Sequence, residues 1–209
     1  DGTCAYNFIT QYKAQCSVAE STSAGSTLRG NCALDVDECQ SNPCKNGAKC
    51  DDSSTNSSIS TDAYRCSCKA GYTNGACAYG FLSQYSSQCK IMESESRAGF
   101  GGNCDVDVNE CASSPCKNTA RCVDSTTSGS GVTVDAYRCM CVAGFANGAC
   151  DYAFITEYKT QCTVTESSVS KTYSGNCDMD VDECKSSPCK NGANCTHSAV
   201  ASTIGHHSY

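Results

Sequence analysis

The sequence predicts a small, disulfide-rich fold, mostly β and irregular, made of tandem modules with an extra disulfide-closed segment in each repeat. Three observations predict it. Cysteine supplies 22 of the 209 residues, a fraction at which a chain reads as a disulfide scaffold. The block from Cys4 to Cys16 returns as Cys77 to Cys89 and as Cys150 to Cys162, a step of 73 residues each time. Five Phe and no Trp are too little apolar mass for one core. Several small modules held by cross-links are the physical alternative. One disulfide closing a loop of ~15 residues contributes roughly 3 kcal/mol, and four per module would outweigh what so small a core can supply.

So many cysteines point to an oxidising, extracellular or secreted setting, because reducing compartments keep thiols unpaired. No apolar run approaches the ~20 residues of a membrane span. No signal peptide is visible and Asp1 is no initiator, so a processed or truncated secreted chain is expected. The net charge of −7 argues against nucleic-acid binding and is compatible with binding cations.

In chain order, residues 1–34 begin in mid-repeat, because Asp1-Gly2-Thr3-Cys4 aligns with Asn74-Gly75-Ala76-Cys77. Phe8, Ile9, Tyr12 and Cys16 have the spacing of one face of a short helix, repeated as Phe81, Leu82, Tyr85, Cys89 and as Phe154, Ile155, Tyr158, Cys162. These read as small local cores. Polar Ser- and Gly-containing loops follow at 20–30, 93–102 and 166–175.

Next comes an acidic box, Asp35-Val36-Asp37-Glu38-Cys39, repeated as Asp107 to Cys111 and Asp180 to Cys184. Each box precedes cysteines at spacings x4 and x5. Pro43, Pro115 and Pro188 fix the chain before the second of them. Asn46-Gly47 and Asn191-Gly192 suit a tight turn at positive φ; the second copy has Asn118-Thr119. Short antiparallel strands are expected around Tyr64-Arg65-Cys66-Ser67-Cys68 and its second copy.

Together these motifs resemble the calcium-binding class of epidermal-growth-factor-like (EGF-like) modules. The match runs from the box through C-x4-C-x5-C, then C-x-C, then Gly71-Tyr72 and Cys77, with Gly144-Phe145 and Cys150 in the second copy. It divides the chain into a C-terminal part of a preceding repeat (1–34), module 1 (35–77), a disulfide-closed insert (78–106), module 2 (107–150), a second insert (151–179) and a truncated module 3 (180–209).

The resemblance implies pairing first to third, second to fourth and fifth to sixth. That gives Cys39–Cys50, Cys44–Cys66, Cys68–Cys77, Cys111–Cys122, Cys116–Cys139, Cys141–Cys150 and Cys184–Cys195. The remaining pairs become Cys16–Cys32, Cys89–Cys104 and Cys162–Cys177, similar in order to laminin-type modules. Independently, Cys66 and Cys68 share one face of a strand, too close for an unstrained bridge, so each needs another partner. A rival pairing joins Cys68 to Cys104 and Cys77 to Cys89. The first scheme is favoured because eight residues between Cys68 and Cys77 is a normal spacing and the rival leaves a long loop. Cys4 and Cys189 are then expected to lack partners within this sequence, either in a longer tandem array or in head-to-tail completion between subunits.

By the same resemblance, Ca2+ is held at the first box by Asp35, Glu38, Asp52 and the Val36 carbonyl. The second site uses Asp107, Glu110, Asp124 and the Val108 carbonyl; the third uses Asp180, Glu183 and Val181. A hard cation takes oxygen ligands. His197 stands where the third acidic residue is expected, so that site is predicted to be weaker. Zinc is not expected, because no C-x2-C pair occurs, and His206-His207, adjacent on a terminal loop with no second cluster, are not expected to be ligands.

Asn56 and Asn194 lie in N-glycosylation sequons. Ser41, Ser113 and Ser186 lie in C-x-S-x-P-C, which resembles an O-glucosylation motif. No G-x-S-x-G, H-E-x-x-H or P-loop occurs, so no enzyme is expected. The expected role is a calcium-stiffened structural rod that assembles with itself, head to tail or laterally, into a filament, matrix or surface appendage. The alternative is a cell-adhesion or receptor ectodomain module that binds a protein partner.

Overall fold

A computed structural model describes residues 1–18, 30–95, 102–164, 166–168 and 175–209. The chain divides into two compact units, Asp1–Val106 and Asp107–Tyr209. Among the described residues there are short strands and 3-10 turns and no α-helix. Disulfides, rather than extended regular structure, set the architecture.

In the first unit, strand Lys49–Asp52 pairs antiparallel with Ala63–Ser67, with Cys50 opposite Cys66. Strand Ser94–Glu95 adds to the far edge, opposite Tyr64 and Ala63. The second unit repeats the hairpin as Arg121–Asp124 with Tyr137–Met140, Cys122 opposite Cys139. There Phe145–Ala146 also pairs with Met179–Asp180. The turn residues Asn46, Gly47, Asn118, Thr119, Asn191 and Gly192 all take positive φ, the condition for a tight two-residue turn.

The bridges Cys39–Cys50, Cys44–Cys66, Cys111–Cys122, Cys116–Cys139 and Cys184–Cys195 are present. The other five expected pairs are corrected. Cys68–Cys77, Cys89–Cys104, Cys141–Cys150, Cys16–Cys32 and Cys162–Cys177 do not form. In their place stand Cys4–Cys16, Cys77–Cys89, Cys150–Cys162, Cys68–Cys104 and Cys141–Cys177. The reason is register. Ala76 makes an antiparallel bridge with Lys90, which sets Cys77 opposite Cys89; Thr3 with Ser17 and Ala149 with Thr163 do the same for the other copies. Directly opposed residues sit close enough to join, and each of these pairs has its Cα atoms 4.8 Å apart.

Cys104 is brought to Cys68 by backbone contacts on both sides. The Cys104 amide donates to the Asn74 carbonyl, and the Asn46 side chain donates to the Cys104 carbonyl at 2.9 Å. Gly148 makes room for the equivalent bridge in the second unit: a Cβ there would lie 2.6 Å from Cys177 Sγ and 2.7 Å from Cys141 Sγ. The long loop closed by Cys68–Cys104 is itself stapled by Cys77–Cys89. The added closure entropy grows only with the logarithm of length, so length is a weak objection. The cysteines without partners are therefore Cys32 and Cys189, not Cys4 and Cys189.

The predicted helix faces are also corrected. Each is two successive 3-10 turns, Tyr6–Phe8 then Thr10–Tyr12, repeated as Tyr79–Phe81 and Ser83–Tyr85, and as Tyr152–Phe154 and Thr156–Tyr158. A 3-10 turn stacks side chains three apart. The inward set is therefore spaced by three, as in Tyr79, Leu82 and Tyr85, or Tyr152, Ile155 and Tyr158. Phe8, Phe81 and Phe154, assigned inward by the helical period, are instead 60%, 63% and 74% exposed.

Candidate functional site

The first and third acidic boxes are each bolted to the aromatic segment that precedes them within their own unit. In the first unit Val36 packs on the cluster of Ile9, Tyr12 and Cys16. In the second, Val181 is fully buried with Ala146, Tyr152, Ile155, Tyr158 and Cys162. A hydrogen bond repeats the attachment: the Asp37 amide donates to Tyr12 Oη at 2.8 Å, and the Asp182 amide to Tyr158 Oη at 2.7 Å. The valine that sequence reasoning noted for its carbonyl thus has a second role as an apolar plug. Burying a valine side chain contributes about 1.5–3 kcal/mol.

The first box gathers carboxylates around the end of the hairpin. Asp35 Oδ2 accepts from Ser53 Oγ at 3.0 Å, which sets it beside the residue following Asp52. Glu38 opens the 3-10 turn Glu38–Ser41 and is 1% exposed, and neither of its carboxylate oxygens has a hydrogen-bond partner. Asp52 is fully buried; Ser54 and Thr55 donate to its Oδ1, while Oδ2 has none. Asp37, absent from the expected ligand set, faces Asp52. Asp37, Cys39 and Asp52 are the three-group cluster, within 4.8 Å, found among the described residues. Cys39 is bridged to Cys50, so the carboxylates are its donors.

The second box has the same geometry. Ser125 Oγ donates to Asp107 Oδ2 at 3.0 Å. Glu110 and Asp124 are 0% and 1% exposed. Thr126 Oγ1 and, at 3.4 Å, the Cys111 amide donate to Asp124. Asn109 replaces Asp37 and caps the following turn by accepting from the Ala112 amide at 3.1 Å. Both Glu110 oxygens and Asp107 Oδ1 lack partners.

Electrostatics follow from this crowding. Burial first, then the charges of Asp52, Asp35 and Asp37, push the Glu38 carboxyl up to about 7. Burial, then Asp124, Asp107 and Asp135, push Glu110 up to about 8. Burial and the neighbouring Asp52 also raise Asp37. A buried, unpartnered carboxylate is costly and demands either a proton or a cation. In the first two boxes the predicted side-chain donors are all oxygen, the donor chemistry of a hard divalent cation.

The third box differs. Asp180 accepts from Ser198 Oγ at 3.0 Å and lies 3.1 Å from His206 Nδ1. Glu183 is 7% exposed with both oxygens unpartnered. His197 occupies the place of Asp52 and Asp124, and its Nε2 is 3.4 Å from Asp182 Oδ1.

Of the expected glycan positions, Asn194 and Ser41 are exposed and Asn56 is half-buried. Asn56 Oδ1 accepts from Ser58 within its sequon, at 2.8 Å from the hydroxyl. Ser41, Ser113 and Ser186 donate to the carbonyls of Glu38, Glu110 and Glu183, which fixes each hydroxyl against the box turn. No helix among the described residues is long and apolar enough to cross a membrane.

Comparison with known proteins gives three findings. Residues 39–74 match the family model of the EGF-like domain. The chain is 27% identical over 158 residues to Protein HEG homolog 1 of Homo sapiens, covering 74% of this chain and 8% of that protein. It is 26% identical over 160 residues to EGF-like repeat and discoidin I-like domain-containing protein 3 of Mus musculus, covering 77% of this chain and 23% of that protein. The chain therefore spans less than a quarter of the length of these relatives.

Proposed function

We propose that this chain, a tandem EGF-like repeat protein, is a calcium-stiffened extracellular rod that forms part of a filament, matrix or surface appendage. The observation that carries the reading is the recurrence of a buried, unpartnered glutamate in every box, with Val36 and Val181 packed on the aromatic segments before the first and third boxes. The expected ligands Asp35, Glu38, Asp52 and the Val36 carbonyl, then Asp107, Glu110, Asp124 and the Val108 carbonyl, hold the cation. Asp37 joins the first set. The third box, with Asp180, Val181 and Glu183, is the weak member for calcium because imidazole replaces a carboxylate.

Binding there neutralises carboxylates that otherwise repel or take protons. At the first box it locks the acidic residues onto the aromatic segment that Val36 already engages. The valine plug and tyrosine hydrogen bond orient the joint; the cation removes its remaining freedom. Cys32, which is exposed, and Cys189 are the positions at which covalent links to further modules form. Glycans at Asn56, Asn194, Ser41, Ser113 and Ser186 coat the rod, and no catalytic step is assigned.

An adhesion module that binds one protein partner would need a patch peculiar to one copy. The exposed phenylalanines instead recur in all three, which favours a repeated, self-associating surface. The test is electron microscopy of native material with calcium and after chelation. Shortened persistence length on chelation is expected; an unchanged length removes the stiffening mechanism.

A further inference from the structure

We propose that the third box is a site for a first-row transition-metal dication of the zinc class, with His197 Nδ1, Glu183 and Asp180 as ligands. The inference goes beyond the calcium reading, because it concerns the one box whose donors are not all oxygen.

The argument begins with the imidazole. His197 stands two residues after Cys195, where the other repeats carry Asp52 and Asp124. Its Nε2 faces Asp182 Oδ1 at 3.4 Å. That carboxylate favours the tautomer with the proton on Nε2, leaving the lone pair on Nδ1. Nδ1 is buried with no hydrogen-bond partner, on a side chain only 12% exposed. A carboxylate holding the far nitrogen of an imidazole is the usual support for a metal-ligating histidine: it fixes the ring and raises its basicity.

Glu183 supplies the second, independent observation. It is 93% buried by its 7% exposure, and both carboxylate oxygens lack a partner. The nearby ammonium of Lys185 is paired with Glu157 at 3.2 Å. The box thus presents a buried nitrogen lone pair and a buried carboxylate, both unpartnered. A hydrogen-bond donor would satisfy one of them; a dication satisfies both. Asp180, held by Ser198, completes a set of two negative charges and one neutral imidazole. His206 Nδ1 lies 3.1 Å from Asp180 at the rim, on a side chain 59% exposed.

Donor softness decides which cation. Calcium takes oxygen, whereas zinc accepts imidazole and carboxylate together. The cysteine spacings contain no zinc motif, and this site needs none. Asp180, Glu183 and His197 are not among the described groups whose ligand atoms lie within 4.8 Å of one another, so the proposed binding requires these side chains to draw together.

The experiment is calorimetric titration of the full, oxidised, metal-free chain with zinc chloride, after alkylation of Cys32 and Cys189 so that free thiols take no metal. Cobalt(II) absorption serves as the spectroscopic readout. Expected are one strong zinc equivalent, at least tenfold weaker binding in His197→Ala, and loss of the cobalt bands in that variant. His197→Asp restores the residue type of the other repeats, so it keeps the fold; it should lose zinc preference and gain calcium affinity. Absence of zinc binding, or unchanged zinc affinity and cobalt bands in His197→Ala, overturns the assignment. Calcium at the first two boxes is scored separately by Glu38→Gln and Glu110→Gln, so either proposal can fail alone.

Discussion

Without metal, the chain should become less stable as pH rises, and Glu110 should be the largest single source. Its carboxyl is fully buried and unpartnered, and burial with the charges of Asp124, Asp107 and Asp135 raises it from 4.5 to about 8. In the unfolded chain it returns to the ordinary value. Between those two pH values the folded chain holds a proton that the unfolded chain has released. The stabilising contribution is therefore complete below the unfolded value and is lost as pH climbs through about 8. At 1.36 kcal/mol for each tenfold step in proton affinity, the gap is worth about 5 kcal/mol. That is an upper bound, because local opening of the box hydrates the carboxylate before the unit unfolds. Glu38, raised to about 7, adds about 3 kcal/mol by the same reasoning. The assay is guanidinium unfolding followed by circular dichroism, disulfides intact and chelator present, at roughly pH 5 and roughly pH 9. Glu110→Gln keeps the shape and removes the titration, so its stability should fall much less across that range. Calcium should flatten the wild-type dependence by taking the proton's place. A wild-type stability that is level or rises with pH, or a Glu110→Gln variant with the wild-type slope, would refute the reasoning.

Thr119 sits at φ 58°, in the left-handed region where the equivalent positions carry Gly47 and Gly192. Thr119→Gly should stabilise the second unit by about 1 kcal/mol, the relief of left-handed strain less the added freedom of the unfolded chain; an unchanged or lower guanidinium midpoint would show that the turn holds no strain. Val181→Ala removes buried methyl groups from the aromatic cluster and should cost the second unit about 2 kcal/mol. Hydrogen exchange reads this as faster opening around Tyr158, and equal protection in both chains would mean the plug is not structural.

Much of the candidate site was legible because the residues that compose it lie close together in sequence. The box residues Asp35 and Glu38 lie beside a cross-linked cysteine, and the hairpin that returns Asp52 is set by one turn and one bridge. Asp37 stood outside the expected ligand set because its place beside Asp52 is a contact made through space. The third box announced itself through His197, but its pairing with Asp182 and the burial of Glu183 required coordinates. The helix faces failed for a different reason: an apolar spacing of three and four fits a 3.6-residue period, yet runs this short close as 3-10 turns. That change of period moved Phe8, Phe81 and Phe154 from the inside to the surface.

The sequence by itself determined the disulfide-rich class, the repeat and the recurrence of acidic boxes, because these depend on composition and on residues close along the chain. Only the tertiary structure decided which cysteines join. Cys77 finds Cys89 because Ala76 pairs with Lys90, and Cys68 finds Cys104 because Asn46 and Asn74 hold its backbone and Gly75 leaves room. Counting residues between cysteines measures distance along the chain; a disulfide needs two Cα atoms within a few ångströms in space, and here strand register, not spacing, supplies that approach.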